Sequence, residues 1–283
     1  MQADDKPLSQ AQLPPGTFDG QVAVITGGGT GLGLQIARGL AAQGATVAIA
    51  SRTADHHATF LEEAARNGWK AEAHELDVRE ADAVQELAKR LRAAHGRIDI
   101  LVNNAAGNFV CPTERMSPRA WRAVLGIVLD GTFYCSRSFG RIMIEQGGGQ
   151  MLNIVATYAW TGMPGVAHSA SAKAGVLALT RTLAAEWARH GIRVNAIAPG
   201  VFESDGAAQN LWPSEEAADH LRRQVPLGRF GTADEMAAHC LYLLSPAASY
   251  MTGECLVVDG GASLGRGMWG EGQSFERPKP SER

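Results

Sequence analysis

Short runs, most of them rich in apolar residues, alternate along this chain with longer stretches in which apolar positions recur every three or four residues. The runs fall at 22–26, 46–51, 71–76, 100–103, 151–155, 193–198 and 255–258. The longer stretches fall at 33–43, 80–95, 118–145 and 171–190. Runs that are apolar at successive positions predict strands covered on both faces, and the three-to-four spacing predicts helices. Their alternation predicts a parallel sheet sandwiched between helices. The fold class is therefore α/β, a single doubly wound domain of Rossmann type with a seven-stranded parallel sheet. No linker divides it, so 20–265 reads as one domain between polar tails at 1–19 and 266–283.

Composition narrows the function classes. Apolar residues make up 45% of the 283 positions, enough for a sizeable core. A net charge of −3 gives no electrostatic case for nucleic acid or an anionic membrane surface. No apolar run reaches the length of a membrane span. Cys111, Cys135, Cys240 and Cys255 form no C-x-x-C pair, so reduced thiols are expected. The histidines show no metal-ligand spacing, and no metal is expected. Signal, transit and peroxisomal patterns are missing, which predicts a cytoplasmic protein.

The first strand runs into Gly27-Gly28-Gly29-Thr30-Gly31-Leu32-Gly33, where a helix opens. Glycines there let backbone approach a pyrophosphate, and the helix N-terminus supplies free N–H groups and the positive end of a dipole. Gly27, Thr30, Gly31, Leu32 and Gly33 are thus candidate dinucleotide contacts. At the end of the second strand stand Ser51 and Arg52 rather than an acid. An acid would accept from a free ribose hydroxyl, whereas arginine pairs with a 2′-phosphate, so NADPH is the expected cofactor. Asp77 and Val78 after the third strand, and Asn103 and Ala105 at the end of the fourth, occupy the strand ends where ligands sit in such sheets.

Together, the glycine loop, Asp77, the run from Asn103 to Gly107, Lys173 and Pro199-Gly200 resemble the short-chain dehydrogenase/reductase family over 20–265. The resemblance implies that Asp77 holds the adenine, Asn103 supports the adenosine ribose, and Pro199, Gly200, Val201 and Phe202 line the nicotinamide. It also implies a homo-oligomer, commonly a tetramer, associating through the helix at 171–190 and the last strand. One departure stands out. Members usually carry Tyr-x-x-x-Lys, but here Ser169 holds the tyrosine position, and Ala156 holds that of the usual helper serine.

Within the family, Ala105-Ala106-Gly107-Asn108-Phe109, Pro112-Thr113-Glu114-Arg115, Ile127-Val128-Leu129 and Ser169-Ala170-Ser171-Ala172-Lys173 resemble signatures of the 2,4-dienoyl-CoA reductases. Those relatives place their tyrosine fifteen residues before the lysine, as Tyr158 stands before Lys173. The implied substrate is an acyl-CoA thioester. Hydride would go to C5 of the dienoyl chain, Tyr158 would bond the thioester oxygen, and protonation at C2 would give a 3-enoyl-CoA. Lys173 would hold the nicotinamide ribose and lower the tyrosine pKa, with Ser169 supporting one of the two. Such relatives carry asparagine at the position of Asp130, whose acid could donate a hydrogen bond only if burial kept it protonated. Arg79, Asn108 and Phe109 are candidate substrate contacts. A further CoA-contacting arginine is replaced near Asn210.

The shifted tyrosine has a physical motive. Carbonyl reduction leaves an alkoxide on the carbon that took hydride, whereas reduction of a conjugated thioester places charge on an oxygen several bonds away. Donors stabilise charge only where it develops. Three alternatives stay open. They are a trans-2-enoyl-CoA reductase, which 166–169 and 201–212 also resemble, an ordinary carbonyl or alcohol oxidoreductase, and a non-catalytic NADPH-binding protein. The match to G-x-S-x-G at 261–265 lacks a following helix and a later histidine, and is read as chance. His168 is read as a loop histidine.

Overall fold

The structure, a computed structural model, describes residues 13–203 and 215–264. Its first half runs β1 (Val22–Thr26), α1 (Gly31–Ala42), β2 (Thr46–Ser51), α2 (Ala58–Asn67), β3 (Ala71–Glu75), α3 (Ala81–His95) and β4 (Ile100–Asn103). Then follow α4 (Pro118–Leu125), α5 (Gly131–Gln146), β5 (Gly149–Ile154), α6 (Tyr158–Thr161), α7 (Ala167–Trp187) and β6 (Ile192–Pro199). The chain closes with β7 (Phe202–Glu203), α8 (Glu215–Gln224), β8 (Gly231–Thr232), α9 (Ala233–Leu244) and β9 (Cys255–Val258).

Seven strands pair in parallel in the order β3-β2-β1-β4-β5-β6-β9, and β7 and β8 form a separate small pair. This is the doubly wound α/β sheet that the apolar pattern predicts. Alternate strand residues feed opposite cores. Ile25, Ile49, Val102 and Ile197 pack under α1 and α9, while Val24, Ala48, Leu101 and Val194 pack under α3 and α5. The central strands β1 and β4 are buried on both faces and show no polar alternation, whereas the edge strand β3, Ala71-Glu72-Ala73-His74-Glu75, alternates and is only partly buried. Helix α9 is not among the periodic stretches of the sequence because seven of its residues are buried and little polar face remains. Among the described residues, no helix is long and apolar enough to cross a membrane.

Two departures from the expected elements bear on the site. The stretch 118–145 is not one helix, since a π turn at Gly126–Asp130 separates α4 from α5. Glycine at 131 lets this bend press on the loop after β3, where a Cβ would lie 2.7 Å from Val78 Cγ2. Helix α7 also begins at Ala167, earlier than its apolar period indicates. That places His168 and Ser169 in the first turn of the helix, and His168 is fully buried rather than on a loop.

Candidate active site

Strand order reverses on either side of β1, so β1 and β4 are neighbours whose following loops leave in different directions. Ligands bind at such a switch point, beyond the carboxyl ends of the strands. A cleft of about 640 Å³ opens there. Thr26 pairs with Asn103 across the two strands. Asn104 then ties the ends together, its Nδ2 donating to the carbonyls of Thr26 and Gly27 at 3.0 and 2.9 Å. Thr26 Oγ1 accepts in turn from the backbone N–H groups of Asn104 and Ala105.

The glycine loop fits an anionic dinucleotide. Gly31 has φ of +51°, a left-handed conformation that disfavours a side chain. At Gly33 a Cβ would sit 2.3 Å from the Gly27 carbonyl oxygen, so only glycine allows the helix to start this close to the strand. Thr30, the N-cap of α1, makes no side-chain bond to its own helix, and the first turn carries no acid. The free N–H groups and the dipole end are thus left for a phosphate.

Gly27, Thr30, Gly31, Ser51, Arg52, Asp77, Val78 and Ala105 all line this cleft. Others lie elsewhere. The Leu32 side chain enters the core under α1, and Gly33 contributes backbone only. The Asn103 amide turns inward and donates to Ser136 Oγ at 3.1 Å and Asn153 Oδ1 at 2.8 Å. It thus braces β4 against β5, and the asparagine facing the cleft is Asn104. The strand spacing that turns Asn103 inward turns its neighbour outward, a signal the sequence already holds. His56 and Ile127 also line the cleft and were not singled out in the sequence.

Arg79 does not reach out toward a second ligand. Its guanidinium grips Asp77, with Nε 2.9 and 3.0 Å from the two carboxylate oxygens and a further bond from the terminal nitrogen. This pairing, with Arg52 nearby, holds the Asp77 carboxyl below the usual carboxylate range. Arg79 therefore fixes the orientation of Asp77 in the cleft lining. Arg79→Ala is expected to weaken dinucleotide binding about 3- to 10-fold, a loss typical of one charge-assisted contact, with the KM of an acyl-CoA unchanged. Fluorescence titration beside initial rates checks this, and a change confined to the acyl-CoA KM would restore Arg79 as a CoA contact.

The catalytic candidates sit on α6 and α7, beyond β5. Tyr158 opens α6 and is half-buried, and its hydroxyl lies 3.1 Å from Ser169 Oγ. Ser169 and Lys173 are one helical turn apart on the buried face of α7, at 1% and 6% exposure. Lys173 Nζ donates to the Ile154 carbonyl at 2.5 Å, and burial lowers its pKa to about 8. The expected lowering of the tyrosine pKa by Lys173 is not found. Burial pushes the Tyr158 phenol up, and the Ser169 hydrogen bond offsets this only in part. The phenol is therefore held protonated, as a donor must be.

Asp130 ends the π turn and is exposed to solvent rather than set in an apolar pocket. Asn108 and Phe109 lie exposed on the loop after β4. The Phe109 ring meets His168 edge-on, with centroids 4.4 Å apart. The loop is strapped to the segment before α7 by Cys111 N–H donating to the Gly165 carbonyl at 2.8 Å. Phe109, Val110, Trp160 and Met163 leave a group of exposed apolar side chains on these two connected segments. Gly200 packs where a Cβ would be 2.6 Å from that of Asp259, fixing the turn after β6. Val201 lines a separate cavity of about 190 Å³ rather than the main cleft. The position near Asn210, and much of 201–212, lie outside the described residues.

Comparison with known proteins places this geometry. A family profile described as Enoyl-(Acyl carrier protein) reductase matches residues 27–263. A Bacillus subtilis (strain 168) protein named "Probable 2,4-dienoyl-CoA reductase", of the (2E)-enoyl-CoA-producing kind, is 46% identical over 86% of this chain and 97% of its own length. The peroxisomal 2,4-dienoyl-CoA reductase of Danio rerio, (3E)-enoyl-CoA-producing, is 38% identical over 88% of this chain and 84% of its own. Gluconate 5-dehydrogenase of Gluconobacter oxydans (strain 621H) is 33% identical over 88% and 96%. A short chain dehydrogenase from Bacillus anthracis superposes with a TM-score of 0.80 at 45% identity, covering 87% of this chain and 98% of its own. A gluconate 5-dehydrogenase from Burkholderia cenocepacia J2315, solved with NADP and tartrate, gives 0.83 at 35% identity over 92% and 100%. A profile across nearly the whole domain, relatives this similar and a shared fold make the chain a member of the short-chain dehydrogenase/reductase family of oxidoreductases.

Proposed function

We propose that this protein is an NADPH-dependent 2,4-dienoyl-CoA reductase. The observation that carries the reading is the Tyr158–Ser169 hydroxyl pair beside buried Lys173, with the phenol moved from its usual place four residues before that lysine. Bound in the cleft, the reduced dinucleotide supplies hydride for C5 of the dienoyl chain. Tyr158 donates its hydroxyl hydrogen to the thioester oxygen, where the electron pair of the conjugated system arrives. Ser169 holds the phenol in that direction, and the cation of Lys173 adds favourable field at the same end. A proton from a water, or from the Tyr158 phenol with solvent restoring it, then reaches carbon, at C2 to leave a 3-enoyl-CoA or at C4 to leave a 2-enoyl-CoA. The two dienoyl relatives are named for different products, and the C2 route is the one adopted here.

Gluconate and threitol dehydrogenases are also similar in sequence. Their names denote polyol chemistry, which fits poorly with the exposed Phe109, Val110, Trp160 and Met163 beside this site. An apolar acyl chain would cover them. Arg52, in the cleft with no acid beside it at the end of β2, supports NADPH, as do the structural neighbours solved with NADP.

The test mixes purified protein with NADPH and a medium-chain 2,4-dienoyl-CoA, with NADH and a 2-enoyl-CoA run in parallel. Loss of dienoyl and NADPH absorbance together is expected, and NMR of the product should show a 3-enoyl thioester. Turnover of the 2-enoyl-CoA alone would reassign the protein as an enoyl-CoA reductase. A 2-enoyl product from the dienoyl substrate would keep the activity and move the proton to C4.

A further inference from the structure

The cofactor reading assigns recognition of the 2′-phosphate to Ser51 and Arg52, yet the same wall of the cleft holds another group of suitable chemistry. A 3₁₀ turn, Ala54–His56, follows β2, and His56 is exposed and lines the cleft with Ser51, Arg52 and Thr53. The turn is held against the glycine loop, since a Cβ on Gly29 would lie 2.0 Å from the His56 carbonyl oxygen and 2.8 Å from the His56 Cβ. Its position is also fixed from behind. His57 is buried, and its Nε2 lies 2.8 Å from Ser51 Oγ, which clips the turn back onto the end of β2. The backbone thus presents His56 between the strand end that meets the ribose and the loop that meets the pyrophosphate.

We propose that His56 is a second ligand of the 2′-phosphate, acting with Arg52, and that it makes the preference for the phosphorylated dinucleotide depend on pH. The proposal rests on NADPH being the cofactor. An imidazolium adds one charge-assisted hydrogen bond to a phosphate oxygen, and a neutral imidazole adds much less. Charged neighbours on the same segment are Arg52, Asp55 and His57. His74 and Glu75 of β3 act on the adjacent His57, and Asp77, gripped by Arg79, lines the same cleft as His56. The glycine loop contributes no charged side chain. Bound phosphate favours the protonated imidazole, so the added affinity is full at low pH and fades as pH rises through the titration in the complex.

The test measures dissociation constants of NADP⁺ and NAD⁺ for the wild-type protein and for His56→Gln. The measurements are made at about pH 6 and about pH 8.5, on either side of the range in which imidazoles as a class change charge. At the lower pH, His56→Gln is expected to weaken NADP⁺ about 5- to 20-fold, the worth of one charge-assisted bond. At the higher pH the loss should shrink below about 2-fold, and NAD⁺ should bind both proteins alike at either pH. Ionisation of the 2′-phosphate itself, near pH 6, is common to both proteins and cancels in the comparison. Equal weakening of both dinucleotides, an equal loss at both pH values, or no loss of NADP⁺ affinity would each overturn the proposal. If the wild-type protein binds NAD⁺ more tightly than NADP⁺ at both pH values, the NADPH reading itself fails, a result distinct from the other three.

Discussion

Tyr158→Phe is expected to lower kcat for a 2,4-dienoyl-CoA by about 100- to 1,000-fold, the usual cost of removing one donor from a developing oxyanion. The dinucleotide Kd should not move, because the phenol lies on α6 and outside the lining of the cofactor cleft. Burial holds the phenol protonated against the partial offset from Ser169, so the wild-type rate should not fall from phenol ionisation anywhere below its ordinary titration range. Folding should suffer little, since one hydrogen bond to Ser169 is lost, with a net worth of about 1 kcal/mol. Single-turnover rates with saturating NADPH check the chemistry, and denaturant unfolding checks the fold. A rate within a few-fold of wild type would remove Tyr158 from the mechanism and leave the dienoyl reading without its donor.

Lys173→Met should do two opposite things. Lys173 is buried, and burial brings its pKa down from the ordinary 10.5 to about 8. The unfolded chain therefore binds the proton more tightly than the folded one between those values, and stability rises with pH across that window. Below it the full cost of burying the charge remains, of the order of 3 kcal/mol, partly offset by the bond to Ile154 that a methionine cannot make. The ligand-free variant should thus be more stable than wild type at pH 7 by about 1–3 kcal/mol, with the difference closing as pH approaches 10. Activity should fall by about 100-fold or more with the loss of the buried cation one helical turn from Ser169. Urea midpoints at the two pH values decide it. A variant less stable than wild type at pH 7 would mean that Lys173 holds the fold together as well as serving the site.

Much of this architecture is written in local patterns. The central strands show plainly as apolar runs, because burial on both faces leaves no polar position to disguise them, while the edge strand β3 carries Glu72, His74 and Glu75 among its alanines. The glycine loop is equally plain, since Gly31 and Gly33 answer to backbone constraints that no other residue meets. What the sequence conceals is pairing. Strand alternation sets Asn103 and Asn104 on opposite sides, but the partners that receive the inward amide, Ser136 and Asn153, lie far along the chain and no local pattern names them. Arg79 likewise reads as a candidate substrate contact, and the sequence does not say that its guanidinium folds back onto Asp77. The π turn is hidden for another reason: one added residue per turn leaves the apolar period of 118–145 nearly intact.

The cofactor cleft is lined by residues between Gly27 and Ile127, whereas the hydroxyl pair and the lysine come later, at 158, 169 and 173. A ribosome therefore delivers the recognition half of the site before the reactive half. Yet α1, which frames the glycine loop, packs its inner face on α9, with Gly39 set so close to Leu241 that a Cβ would come within 2.8 Å. That face stays open to water, and to other nascent chains, until nearly the whole protein has emerged. The end of the molecule that is written first is the end that is sealed last.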